Sequence, residues 1–174
     1  MVTHFKPSAR PSVDTLRTLE LMPGDVALGE VGDHFKTLLG SCVSVILCDP
    51  RRTIAVMCHI VFTGKPKSEH SANTSYGSAA MDNMFARLRT KGVNPSMCHA
   101  YVFGGGNMFP QFFSPKHVGA SNSEWVLNFL HHHNIHVLDQ RIGGNGYRKI
   151  SWTVGSGEPL VETVFAEQGT AHDR

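Results

Sequence analysis

Hydrophobic and polar positions alternate along Thr37 to Asp49, TLLGSCVSVILCD, and again along Thr53 to Phe62, TIAVMCHIVF. Val43, Val45 and Leu47 fall on one side of the first stretch, and Ser44, Ile46 and Cys48 on the other. In the second, Ile54, Val56, Cys58 and Ile60 oppose Ala55, Met57, His59 and Val61. A period of two predicts strands. Asp49-Pro50-Arg51-Arg52 between them is a turn signal, with proline at its second position. The best-patterned hairpin sets Cys48 opposite Thr53. Val43 then faces Cys58, Val45 faces Val56 and Leu47 faces Ile54, so one face is apolar. On the other face Cys42 lands opposite His59, and directly opposed Cβ atoms lie about 4.5–5.5 Å apart.

The remaining pattern predicts a mixed domain. Asp25–Val31 and His34–Leu39 read as short strands around the turn dipeptide Gly32-Asp33. Met81, Met84, Phe85 and Leu88 make a helical stripe, capped at its start by Ser75 or Ser78 and closed by Gly92. Met97–Phe103 reads as a strand running into Gly104-Gly105-Gly106. A capping box, Ser121 with Glu124, opens a second helix that buries Val126, Phe129 and Leu130 and ends at His131-His132-His133. Ile135–Asp139, Lys149–Val154 and Leu160–Phe165 are further strands, the last two joined by Gly155-Ser156-Gly157. Phe109, Phe112 and Phe113, around Pro110, are expected to pack against the domain, with an exposed partner patch as the alternative. The polar loop from Gly64 to Thr74 is either a border of the site or a solvated connector. Strands outnumber helices, which argues for a single mixed α/β (α+β) domain with helices packed on a mostly antiparallel or mixed sheet. The domain is placed at 21–165. Residues 1–20 are expected to be a polar tail, with a turn of helix near Val13–Leu19, and 166–174 a second polar tail.

Composition narrows the class. The 174 residues suit one domain, and a net charge of +2 leaves no strong nucleic-acid footprint. Four cysteines without a CxxC pair read as reduced thiols, and no membrane span or signal segment is visible, so a cytoplasmic location is expected. Cys58-His59, Cys98-His99 and the histidine triplet invite a metal reading. Adjacent strand residues face opposite ways, and consecutive helical residues diverge, so no metal is assigned. The glycine run lacks a P-loop lysine and the dinucleotide spacing. It reads as a place where backbone passes close to the site.

The Cys42–His59 pair carries two readings. In one, Cys42 is a small buried hydrophobe and His59 a hydrogen-bonded strand residue. In the other, the imidazole activates the thiol as a nucleophile, and the Gly40-Ser41-Cys42 backbone supplies N–H donors for an oxyanion. The second reading implies acyl transfer from an amide or ester.

The Leu-Gly-Ser-Cys-Val run, the Asp-Pro that follows, and a histidine 17 residues after the cysteine resemble the CheD family of bacterial chemotaxis. Leu21-Met22-Pro23-Gly24, the stretch from Phe103 to Phe109, Val118-Gly119-Ala120-Ser121-Asn122 and the segment from Gly143 to Arg148 extend the likeness over most of the chain, in order. Ser121, Ser78 and Arg141 depart from the family's usual arginine and acidic residues. The resemblance implies a layered α/β sandwich. It implies deamidation of glutamine side chains on methyl-accepting chemotaxis proteins, with methylesterase activity toward their glutamyl esters. Cys42 is then the nucleophile, His59 the base and Thr37 the third member of a triad. Gly40, Ser41, Gly105 and Gly106 line the site or its oxyanion position. No cofactor is implied, and the membrane is met only through receptors. The resemblance also implies an alternative role, a regulatory binding module that engages a CheC-type phosphatase.

Overall fold

The strand β4 (Val43–Cys48) is buried along its whole length, and the layers build outward from it. A computed structural model describes residues 16–67, 72–112 and 116–165. The other strands are β1 (Thr18–Leu21), β2 (Val26–Glu30), β3 (His34–Leu39), β5 (Ile54–Ile60), β6 (His99–Gly104), β7 (His136–Ile142), β8 (Tyr147–Thr153) and β9 (Leu160–Val164). The helices are α1 (Gly77–Thr90) and α2 (Val118–His132). The strands form two sheets rather than one. One has the order β1-β3-β8-β9, the other β2-β5-β4-β6-β7, and each contains one parallel pair.

The alternation read along β4 and β5 separates two cores. Val43, Val45, Leu47, Val56, Cys58 and Ile60 pack under the helices with Met81, Met84 and Leu88 of α1 and Val126 and Leu130 of α2. Ile46, Cys48, Ala55 and Met57, with Tyr101 and Phe103 of β6 in the same sheet, face Phe35, Leu39 and Trp152 of the other sheet. The order is therefore sheet, sheet, helices: a mixed α/β domain. Both faces of β4 are covered, which is why its sequence is nearly all apolar.

The expected hairpin forms in a shifted register. Val43 faces Ile60, Ser44 faces His59 and Cys48 faces Ala55. The cause lies in the turn. Asp49 accepts hydrogen bonds on its carboxylate from the Thr53 and Ile54 N–H groups and the Thr53 hydroxyl. This draws the four-residue loop forward to Pro50–Thr53, with Asp49 N–H donating to Ile54 O. The opposed partner moves by two, so every side chain keeps its face.

The helix starts also differ from expectation. No side chain caps α1. Its first N–H groups donate instead to carbonyls at the exit of β5, Gly77 to Phe62 and Ser78 to Gly64. α2 begins before the capping box, with His117 Nδ1 accepting from Ala120 N–H. Gly92, at φ +73°, follows α1 as expected of a helix-ending glycine. Thr18–Glu20, expected within the tail and its turn of helix, form a strand beside β3 together with Leu21, where the domain was expected to begin. The rest of both expected tails, residues 1–15 and 166–174, lies outside the described residues. Phe109 and Phe112 are exposed rather than packed, carried outward by a turn in which Phe112 N–H donates to Phe109 O. Phe113 lies outside the described residues.

Phe35 fills the space between the sheets and fits because β2 offers Gly29 beneath its ring, where a Cβ would sit 2.9 Å from Phe35 Cζ. Phe35→Ala is expected to lose about 3–5 kcal/mol of stability, read as a lowered denaturation midpoint in urea. Gly29→Ala is expected to destabilise by about 1–3 kcal/mol through overpacking.

Candidate active site

The inward row of β3 is Phe35, Thr37 and Leu39, with Lys36 and Leu38 exposed on the outer face. After Leu39 the chain leaves its sheet, bends at Gly40-Ser41 and enters the other sheet at Val43. Thr37 and Cys42 are an odd number of residues apart, yet both face the space between the sheets. Each belongs to a different sheet, and the bend between them removes the parity conflict an unbroken strand would impose. His59 faces the same space from β5, beyond Ala55 and Met57.

Thr37 and His59 are in direct contact. Thr37 Oγ1 lies 2.9 Å from His59 Nδ1 and 2.8 Å from the Leu21 carbonyl oxygen. A carbonyl only accepts, and a hydroxyl has a single proton. The Thr37 hydroxyl therefore donates to Leu21 O and accepts from His59 Nδ1–H. That places the imidazole proton on Nδ1 and leaves Nε2 with a free lone pair, the form a general base needs. The backbone of His59 is fixed as well, with Gly24 N–H donating to its carbonyl at 2.8 Å and its own N–H donating to Asp25 O at 3.0 Å.

Cys42 is half-buried against the core between the sheets. The shifted register puts Ser44, not Cys42, directly opposite His59. Cys42 occupies the next inward position, diagonal to the imidazole, and Ser44 Oγ is buried without a hydrogen-bond partner. Burial sets the resting charges. It pushes the Cys42 thiol above its ordinary value and holds the His59 imidazole below its ordinary value near 6.5. Both groups are thus neutral near pH 7, with no charge on either the thiol or the imidazole.

The glycine run fastens the cysteine segment. Gly105 N–H donates to Cys42 O and Gly106 N–H to Gly40 O, each at 2.9 Å. These two N–H groups brace the turn and are therefore engaged rather than free. Gly104 has φ +110°, and a Cβ there would meet Cys42 O at 2.2 Å. No other residue accommodates both demands. Arg148 secures the far side of this brace, donating to the carbonyls of Gly104 and Gly143 at 3.3 and 2.6 Å. It orders the glycine loop rather than holding a carboxylate. Ser41, Gly106, Met108, Phe109 and Val118 border a cavity of about 340 Å³ beside the cysteine turn.

Asn122 and the Leu21 carbonyl touch this machinery and were not legible as site groups. Asn122 Nδ2 donates to Ser41 O at 3.2 Å and to Val61 O at 3.0 Å. Its sequence signals were its place near the start of a helix and its membership of the Val118–Asn122 motif that extends the family likeness. The histidine triplet stays apart from the site: His132 and His133 contact the carbonyls of Asn128 and Phe129 through Nδ1, and His133 stacks on Phe129.

The thiol environment makes a prediction. Under native conditions iodoacetamide should label Cys42 ahead of the buried Cys48, Cys58 and Cys98, as mapped by peptide mass spectrometry. The Cys42 rate should climb only as pH approaches the raised thiol value. A reactive plateau in the acid range would contradict a neutral resting pair.

Comparison with known proteins agrees with the resemblance seen in the motifs. A family model described as CheD chemotactic sensory transduction matches residues 62–163, from Phe62 onward and so beyond Cys42 and His59. A probable chemoreceptor glutamine deamidase CheD 2 of Albidiferax ferrireducens is 33% identical over 149 residues, covering 83% of this chain and 86% of the relative. A probable chemoreceptor glutamine deamidase CheD 3 of Dechloromonas aromatica is 33% identical over 153 residues, 87% of this chain and 89% of the relative. A CheD of Rhodospirillum rubrum with the same description is 33% identical over 144 residues, 83% of this chain and 81% of the relative. With a family model matching more than half its length and relatives at this identity along most of it, the chain belongs to the CheD family.

Proposed function

We propose that this protein is a cysteine-dependent deamidase that converts glutamine side chains of methyl-accepting chemotaxis receptors to glutamate. The observation that carries the reading is the Thr37–His59 contact, which leaves Nε2 basic on the face that Cys42 shares. The relatives' description as probable chemoreceptor glutamine deamidases supplies the substrate class.

In this mechanism Cys42 Sγ attacks the carboxamide carbon while its proton passes to His59 Nε2. The carbonyl oxygen becomes an oxyanion beside the Ser41-Cys42 backbone. As the intermediate collapses, the C–N bond breaks, and the nitrogen takes the proton from His59 and leaves as ammonia. A thioester remains. Water then attacks it, giving a proton to Nε2. The C–S bond breaks, the proton returns to Sγ, and the glutamate carboxyl is released. A glutamyl methyl ester follows the same course with methanol as leaving group, so methylesterase activity belongs to the same site. Thr37 orients the imidazole and stabilises the imidazolium through the Nδ1–H bond. No metal or organic cofactor takes part in this scheme.

The protein is proposed to act in the cytoplasm, on the cytoplasmic segments of its receptors. Among the described residues no helix is long and apolar enough to cross a membrane. A second reading, a regulatory module engaging a CheC-type phosphatase, draws on exposed Phe109 and Phe112 near the cavity beside Ser41. A partner protein seated there would cover the site.

Incubation with a receptor cytoplasmic fragment, followed by peptide mass spectrometry, tests the main reading. The protein should convert defined glutamines to glutamate, and Cys42→Ala should not. Absence of conversion across several receptors of the same organism would favour the regulatory role. The pH profile of kcat/KM should be a broad bell. Its acid limb, the loss of the His59 proton, should lie below 6.5, and its alkaline limb above the ordinary thiol value. A narrow bell confined to acid pH would contradict the assignment.

A further inference from the structure

The hydrogen-bond ladder between β4 and β5 ends at the Val43–Ile60 pair, immediately beside the cysteine. Past that point the strands part. The N–H groups of Val61 and Phe62 both turn to the Ser75 carbonyl, and the opposing chain bends at Gly40-Ser41. Two carbonyl oxygens are left facing the gap: that of Ser41, one residue before Cys42, and that of Val61, two after His59. Asn122 reaches in from α2 and donates to both from one NH2 group, at 3.2 and 3.0 Å.

Carbonyl oxygens only accept, so the amide must turn its nitrogen toward them. Asn122 is 1% exposed, and its Oδ1 is buried without a partner. An orphaned buried oxygen costs about as much as one or two hydrogen bonds return. The residue therefore adds little net stability. Its consequence is geometric, because it replaces a rung of the ladder where the nucleophile's turn and the base's strand separate. Its helix is itself fixed against the site: Gly119 packs on the Gly105–Gly106 backbone so closely that a Cβ would come within 2.5 Å of it.

We propose that Asn122 is a positioning residue, acting through the Ser41 and Val61 carbonyls to hold the Cys42 turn at a fixed separation from the strand that carries His59. The proposal rests on the deamidase reading, which it deepens. It does not make Asn122 a catalytic residue, since the side chain acts on backbone groups alone.

The test compares the parent with Asn122→Ala, Asn122→Asp and Asn122→Ser. Asp keeps the shape but turns an acceptor toward two acceptors, and the Ser hydroxyl can restore one donated bond. Two readouts are taken on each protein, kcat and KM for a receptor cytoplasmic fragment and the pH dependence of Cys42 alkylation by iodoacetamide. The Ala and Asp variants should lose roughly 10- to 100-fold in kcat, the scale set by misplacement of reacting groups. KM should stay within about twofold, because binding is untouched. The Cys42 alkylation curve should shift as the thiol loses its fixed relation to the imidazole, and Ser should recover part of both effects. Folded variants with parental kcat and a parental alkylation curve would overturn the proposal, as would a loss confined to KM. Should the Ala variant not fold, the Asp and Ser variants decide the matter on the same readouts. A parent without deamidase activity would remove the functional reading, and the alkylation curves would still decide whether Asn122 positions the thiol.

Discussion

The one proton of the Thr37 hydroxyl is the constraint from which the site follows. Leu21 O claims it at 2.8 Å, so the oxygen is left as an acceptor for His59 Nδ1. A proton fixed on Nδ1 leaves Nε2 as the basic nitrogen, the role the proposed mechanism gives it. The arrangement needs three chain segments at once. β1 supplies the carbonyl, β3 beside it supplies the hydroxyl, and β5 in the other sheet supplies the ring. The stacking of two sheets thus holds this hydrogen-bond chain together as well as packing the core.

Burial works on this arrangement in two directions. Dry surroundings strengthen the Thr37–His59 hydrogen bond, and they also disfavour charge on both the thiol and the imidazole. Both groups are neutral at rest, and in the proposed mechanism charge separates only when Cys42 attacks. The cysteine turn is held for that moment by backbone groups. Gly105 and Gly106 bind its carbonyls on one side, and Asn122 binds the Ser41 carbonyl on another. In the proposed mechanism the N–H groups for the oxyanion therefore come from the turn itself, not from Gly105 or Gly106.

Much of this was legible in the sequence, and the failures have physical causes. The period of two in β4 and β5 assigned each side chain to its face, because a misplaced polar row would be buried. The register within the hairpin was not legible. It depends on Asp49 capturing two N–H groups and a hydroxyl, which alternation does not encode. The division into two sheets was hidden too, since it arises from a bend at Gly40-Ser41 and from pairings distant in sequence, such as Leu39 with Arg148. β1 escaped notice because it is four residues long with one buried position, Leu21. Asn122 read as part of a helix start; only the folded chain shows which carbonyls it meets. Where the helices begin was misread because tertiary carbonyls satisfy the first N–H groups of α1, making a side-chain cap unnecessary.

The site turns on the position of a single proton, and nitrogen-15 NMR of the imidazole reads it directly. In protein labelled at histidine, at a pH above the His59 titration, Nδ1 should appear protonated and Nε2 unprotonated. In Thr37→Val the ring should lose that preference and sample both tautomers. A parent spectrum with the proton on Nε2 would contradict the claim, because the nitrogen assigned as the base would have no lone pair to receive the thiol proton.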